Sequence, residues 1–259
     1  MPEGHVIHRL ARTLTDAFGG KPVHVSSPQG RFSTEADVLD GAELIDAFAH
    51  GKQLFIRFAG ERYIHIHLGL IGKFKIAPLA APVGVVRLRI ADREMAADLH
   101  GPQWCRLVLK SDVERARDKL GSDPLENGAI APNLARVRRS IGAALIDQAL
   151  YAGVGNIYRC EVLFRQGVSP FAPASAVDGQ AIWDDLVQLM EYGARAGRID
   201  TVRAEHSPEA QGRPPREDAH GGEVYVYRRA GQPCLVCGTP VEMKVDGGRK
   251  LYWCPTCQA

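Results

Sequence analysis

Pro2 and Glu3 stand together at the start of the chain, and four cysteines, Cys234, Cys237, Cys254 and Cys257, stand near its end. If Met1 is removed, as is usual before a residue as small as proline, Pro2 offers a free secondary amine beside a carboxylate. The reference pKa of an α-amine is about 7.7 to 8.0, so a useful fraction is unprotonated near neutral pH. Such an amine can attack an aldehyde-like carbon and form a covalent intermediate. The same dipeptide also suits an ordinary helix start, because Pro has no N–H to leave unsatisfied and Glu complements the helix dipole. By themselves the two residues leave both readings open.

The cysteines carry a firmer implication. Cys234-x2-Cys237 and Cys254-x2-Cys257 are separated by sixteen residues, while Cys105 and Cys160 stand alone. Each CxxC pair can bend round one ion, and four thiolates close a tetrahedral zinc site that leaves no open position for water. One structural Zn2+ per chain is expected. Cys105 and Cys160 are expected to be small buried hydrophobes. Between the pairs, PVEMKVDGGRKLYW predicts a β-hairpin with Asp246-Gly247-Gly248 at its turn and Arg249 just past the tip. An arginine held there suits a phosphate contact, and it also suits plain solvent exposure.

These groups need elements to position them. With 259 residues, 45% of them hydrophobic, the chain can bury the cores of two modest domains. Its net charge of +2 means that a polyanionic partner would have to be met by local patches rather than bulk charge. No apolar run is long enough to span a bilayer and no basic-then-apolar signal opens the chain, so a cytoplasmic, nucleoid-associated location is expected.

Ile7, Leu10, Ala11 and Leu14 predict an amphipathic helix over residues 5–17, directly behind Pro2. From about 22 to 110, QLFIRF, RYIHIHLG, GKFKIA, VVRLRIA and CRLVLK alternate apolar with polar residues, which predicts a half-buried antiparallel sandwich or barrel. His65 and His67 fall on the polar face of one strand and read as surface or hydrogen-bonded histidines, not metal ligands. Lys52, between Gly51 and an apolar strand, stands where its ammonium could enter a groove or simply be solvated.

Residues 111–197 turn helical, with helices predicted over Val137 to Ala149, Ile157 to Gln166 and 178–197, the last facing Ile182, Leu186, Leu189 and Met190 inward. The YAGVGN turn lies between the first two, in a stretch (131–170) with five arginines against two acids. Such a turn suits a phosphate, and it equally suits an ordinary helical hairpin. The stretch RAEHSPEAQGRPPREDAHGGE has no periodicity and reads as a mobile loop or linker.

MPEG, HGK, DQALYAGVGNIYRCE and the double CxxC followed by Gln258 occur in this order. Together they resemble the formamidopyrimidine-DNA glycosylase / endonuclease VIII family of base-excision repair enzymes, from Pro2 to Gln258. The resemblance implies an α+β fold with three parts. These are an N-terminal antiparallel β-sandwich catalytic domain with the first helix (1–112), a helical domain with a helix-two-turn-helix motif (113–222) and a four-cysteine zinc-finger hairpin (223–259).

It implies a monomeric bifunctional DNA glycosylase and AP lyase acting on damaged double-stranded or abasic-site DNA. By resemblance Pro2 is the nucleophile that forms a Schiff base at C1′, Glu3 the acid-base residue and Lys52 the second essential lysine. Asn156 and Arg249 match the pair that grips the phosphates flanking the lesion, and Leu70 matches a residue that enters the duplex where the flipped nucleotide left. β- and δ-elimination would then cut the strand.

The sequence departs from the commoner pattern at His5 and Val6, which replace Pro and Glu, and at Ala149, which replaces a Lys. HGPQWCRL has no clear Arg-Phe pair, with Gln103 and Trp104 as the candidates. These departures favour the endonuclease VIII-like branch and oxidised pyrimidines. A catalytically inactive DNA-binding protein on the same scaffold is the alternative, and a zinc-dependent transcriptional regulator a weaker third reading.

Overall fold

The computed structural model describes residues 2–218 and 222–259. Contacts divide it into two compact units, 1–119 and 120–259.

In the first unit the chain runs α1 (Gly4–Phe18), β1 (Lys21–Pro22), β2 (His24–Ser26), α2 (Ser33–Leu39), β3 (Glu43–His50), β4 (Gln53–Phe58), β5 (Arg62–His67), β6 (Lys73–Pro78), β7 (Leu88–Ala91), β8 (Met95–His100), β9 (Trp104–Leu109) and α3 (Lys110–Arg117). Two antiparallel sheets form, ordered β1-β3-β4-β5-β9 and β2-β7-β8-β6.

Alternation along β4 and β5 turns Leu54, Ile56, Phe58, Ile64 and Ile66 into the core shared with Phe74, Leu88, Ile90 and Leu99 of the second sheet. Ile7, Ala11, Leu14 and Phe18 of α1 complete that core, and α1 packs on β3 and β4. The opposite face of the larger sheet is covered too, since Phe55 and Tyr63 lie against Val113 of α3. One strand departs from the half-buried expectation: β7 is buried at all four positions, because it pairs on both sides and its Arg89 is matched to Asp98 of β8 at 3.3 Å.

The second unit contains α4 (Ile141–Leu145), α5 (Asn156–Arg165), α6 (Gly179–Ala196), α7 (Pro208–Gln211) and the hairpin β10 (Glu242–Asp246) and β11 (Arg249–Trp253). The helix expected over Val137 to Ala149 shrinks to α4. Ser140 caps it by accepting from Ala143 N, and past Leu145 the side chains of Asp147 and Gln148 take over the backbone groups a longer helix would use. Gln148 also bonds Val154 O and Gly153 N, which draws the following turn in. α6 begins at its Asp178 cap and ends at Gly197, as its periodicity predicts.

The segment read as a mobile linker is more ordered than expected where it is described. It forms α7 and a preceding turn of 3-10 helix (Ala204–His206), and Arg213 reaches Glu223 at 2.7 Å while Arg216 reaches Asp218 at 2.6 Å. Residues 219–221 of that stretch lie outside the described residues.

Glu161, wholly buried on α5, accepts from Tyr225 N, Val226 N, Tyr227 N and Thr201 Oγ1 at 2.6–3.0 Å. This cradle ties the turn that leads to the zinc hairpin onto the helix core. No helix among the described residues is long and apolar enough to cross a membrane.

Candidate functional site

The helix behind the N-terminus begins at Gly4, with Glu3 as its N-cap residue. Pro2 therefore precedes the helix instead of occupying its first turn. Glu3 is wholly buried and its side chain makes no capping hydrogen bond, so its carboxylate is not serving the helix end. Three histidines, His5, His8 and His50, are also buried in this unit. Burial, then the nearby His8, lowers the pKa of His5 to about 4, so its imidazole is neutral at physiological pH.

Lys52 lies in the two-residue turn joining β3 to β4, where His50 pairs with Gln53. Gly51 precedes it at φ +59, a conformation that two-residue hairpins reserve for residues without a Cβ at that position. Lys52 is half-buried, and its charge reaches His67 on the neighbouring strand. Burial, then Lys52, holds the His67 pKa below the ordinary imidazole value, while a hydrogen bond with Gln103 opposes this.

His67 Nδ1 accepts from Gly69 N at 3.1 Å, and Gln103 N donates to His67 O at 2.9 Å. These bonds fasten the turn that carries Leu70 and Ile71, which are 70% and 79% exposed. An aromatic row continues across the sheet. Phe48 stacks on Phe55, Phe55 on His65 and His67 on Trp104, with ring centroids 5.2, 4.6 and 4.5 Å apart.

His65 also pairs with Gln53 Oε1 at 2.8 Å and is held at a pKa of about 4 by burial and by Arg106. Both strand histidines are thus stacked and hydrogen-bonded, as their alternation implies. Trp104 is held in this row, and of the two residues weighed for gap filling only Gln103 is exposed.

In the second unit Gly153, at φ +87, turns the chain into α5, and Asn156 is the first residue of that helix. Its Nδ2 donates to Lys250 O at 2.8 Å, joining helix to hairpin. Gly247 and Gly248 both have positive φ, so the hairpin closes in two residues and sets Arg249 opposite Asp246.

The four Sγ atoms of Cys234, Cys237, Cys254 and Cys257 lie within 4.8 Å of one another. Sulfurs about 2.3 Å from a tetrahedral zinc stand roughly 3.8 Å apart, and the Cys234–Cys257 and Cys237–Cys254 separations are 3.9 and 3.4 Å. Val236 N and Cys257 N donate to Cys234 and Cys254 Sγ at 3.5 Å, bonds of the kind that orient thiolate ligands. The donor set fits one structural zinc. Cys105 and Cys160 are buried, and burial raises the Cys105 pKa to about 12.

A sequence model of the formamidopyrimidine-DNA glycosylase N-terminal domain matches residues 1–108. A model of the formamidopyrimidine-DNA glycosylase H2TH domain matches 117–204, and one of the zinc finger found in FPG and IleRS matches 231–259. Endonuclease 8 1 of Mycobacterium tuberculosis is 43% identical over the full length of both chains. The chain belongs to the formamidopyrimidine-DNA glycosylase and endonuclease VIII family. It is a DNA glycosylase and AP lyase of base-excision repair, with one structural zinc.

Formamidopyrimidine-DNA glycosylase of Gluconobacter oxydans is 32% identical over the whole of both chains. Among solved structures, MutM (Fpg) of Thermus thermophilus matches with a TM-score of 0.74 at 27% identity, covering 99% of this chain and 98% of that one. The fold is shared with MutM bound to carbocyclic 8-oxo-G DNA, at a TM-score of 0.78, 22% identity and 99% coverage of each chain.

Sequence reasoning missed the burial of His5, His8 and His50, the closeness of His67 to the Lys52 charge, the exposure of Ile71, and the burial of Arg159. The spacing of His5 with His8 and of His65 with His67 was a weak signal for the histidines, and Ile71 had none. Nor had Arg159, because an arginine on a helix reads as solvated surface.

Proposed function

We propose that Pro2 is the nucleophile of a glycosylase and AP lyase that acts on oxidised pyrimidines. The observation that carries this reading is the N-terminus itself: Pro2 stands ahead of α1, and the buried Glu3 beside it makes no cap. A buried carboxylate next to the amine, not engaged in capping α1, is suited to move a proton at the reacting carbon. The amine attacks C1′ as the damaged base departs, giving an iminium whose positive charge acidifies the sugar hydrogens. Glu3 shuttles protons, and Lys52, positioned by the tight turn, holds a phosphate near the sugar. β- and then δ-elimination cut the strand on either side.

Extruding the nucleotide costs a few kcal/mol of lost stacking. Leu70, exposed at the end of its fastened turn, fills the vacated space, and Asn156 and Arg249 grip the flanking phosphates. The preference for pyrimidines rests on the 43% identity to endonuclease 8 and on Ala149 and the missing Arg-Phe pair. We also read the enzyme as a monomer and as cytoplasmic.

Borohydride should trap the chain on duplexes carrying an oxidised pyrimidine or an abasic site more readily than on 8-oxo-G. Pro2→Gly, or a tag left on the N-terminus, should abolish trapping. Covalent capture that survives a blocked terminus rules out Pro2. Strand cleavage of an abasic duplex, if absent, restores the inactive DNA-binding alternative.

A further inference from the structure

We propose that Arg159 and Asp246 form a buried positioning pair that pre-sets the phosphate grip of Asn156 and Arg249. The inference rests on the grip assigned above and adds the residues that aim it.

Arg159 is wholly buried on α5. Its Nη2 donates to Asn156 Oδ1 at 2.6 Å, and its Nη1 donates to Asp246 Oδ2 at 3.2 Å and to Gly142 O at 3.5 Å. A packing position would be filled more cheaply by Leu or Met, because desolvating a guanidinium costs several kcal/mol that only well-placed partners offset. What arginine adds is direction.

It can only donate, so the Asn156 amide must turn its oxygen toward Arg159 and its NH2 away. One of those hydrogens goes to Lys250 O. Among the described residues the other has no acceptor, which is the donor a phosphate oxygen needs. The second arm of the fork holds Asp246 at one foot of the Gly247-Gly248 turn, and Arg249 stands at the other foot as its register partner. Arg249 Nη1 is buried with no hydrogen-bond partner among the described residues. One buried cation thus fixes both donors at once.

Asp246 gives a test whose sign is diagnostic. Its side chain is 32% exposed on the hairpin. If it were merely an acidic neighbour of the DNA, removing it would relieve repulsion and tighten binding. If it positions the grip, removing it loosens binding. The zinc-loaded protein would be titrated with a duplex carrying a tetrahydrofuran abasic-site analogue at several salt concentrations.

Asp246→Ala is expected to weaken binding about fivefold and Arg159→Met about tenfold, with the salt slope reduced by about one. Asn156→Ala should weaken it similarly, and the Arg159→Met/Asn156→Ala double variant should be no weaker than the worse single variant. Zinc content should stay at one per chain. Unchanged or tighter binding by Asp246→Ala overturns the proposal, as does a double variant whose losses multiply. If Arg159→Met does not fold, Asp246→Ala decides alone. An Asn156→Ala variant that binds normally overturns the phosphate grip itself, an outcome distinct from a failure of the positioning pair.

Discussion

In the first unit, burial strips histidines of their charge, with His5 and His65 both held at a pKa of about 4. Around the zinc hairpin, ionisable groups are buried with directed partners instead: Arg159 with Asn156 and Asp246, Arg165 with Asp185 at 2.7 Å, and Glu161 with four donors. The contrast follows from the side chains. An imidazole can lose its proton at modest cost, whereas a guanidinium cannot and must find acceptors. On the function proposed above, neutral histidines would suit the unit that carries Pro2, and donors whose aim is set beforehand would suit a phosphate contact.

The strongest way to break this contrast is through the metal. Cys→Ser at any of the four ligands, or a strong chelator, should release the zinc and unfold the hairpin, a loss on the order of 10 kcal/mol of binding free energy. Zinc content, DNA affinity and near-UV dichroism would check it, and the first unit should remain folded. A variant that keeps its zinc contradicts the ligand assignment.

Next in size is Glu161→Ala, which strands three backbone N–H groups and a hydroxyl and should cost about 3–5 kcal/mol in urea unfolding. Glu161→Gln should recover part of that, since an amide oxygen still accepts.

The neutral histidines make the first unit sensitive to acid. Their folded pKa values lie below the unfolded value near 6.5, so the unfolded chain binds more protons, and stability is lost as the pH falls from about 6.5 to about 4. The loss should approach roughly 3 kcal/mol for His5 and be smaller for the more exposed His65. Melting temperatures across that range should flatten in His5→Gln and His65→Gln, and an unaltered slope would remove the contrast. The smallest effect is expected at Leu70. Leu70→Ala should change stability by less than about 0.5 kcal/mol, because the side chain is 70% exposed, while lowering processing of a duplex lesion.

Much of the first unit was legible because its signals are local. Alternation in QLFIRF and RYIHIH matches β4 and β5, and the 3.6-residue spacing of Ile7, Ala11 and Leu14 matches α1. Legibility failed where side chains compete with the backbone. Asp147 and Gln148 end α4 early, although their stretch has acceptable helical spacing. It failed again in the linker, which ion pairs such as Arg213–Glu223 order without any periodic pattern.

The chain by itself determined the zinc ligands, the hairpin turn and the helix behind Pro2, because each depends on residues a few positions apart and on backbone rules that act over that range. Only the tertiary structure decided that Glu3 is buried without capping its helix, that His5 and His65 are uncharged, and that Arg159 meets Asp246, 87 positions away. Burial and long-range pairing depend on which surfaces pack together, here β11 on α5 and α1 on β3, and no spacing along the chain encodes that.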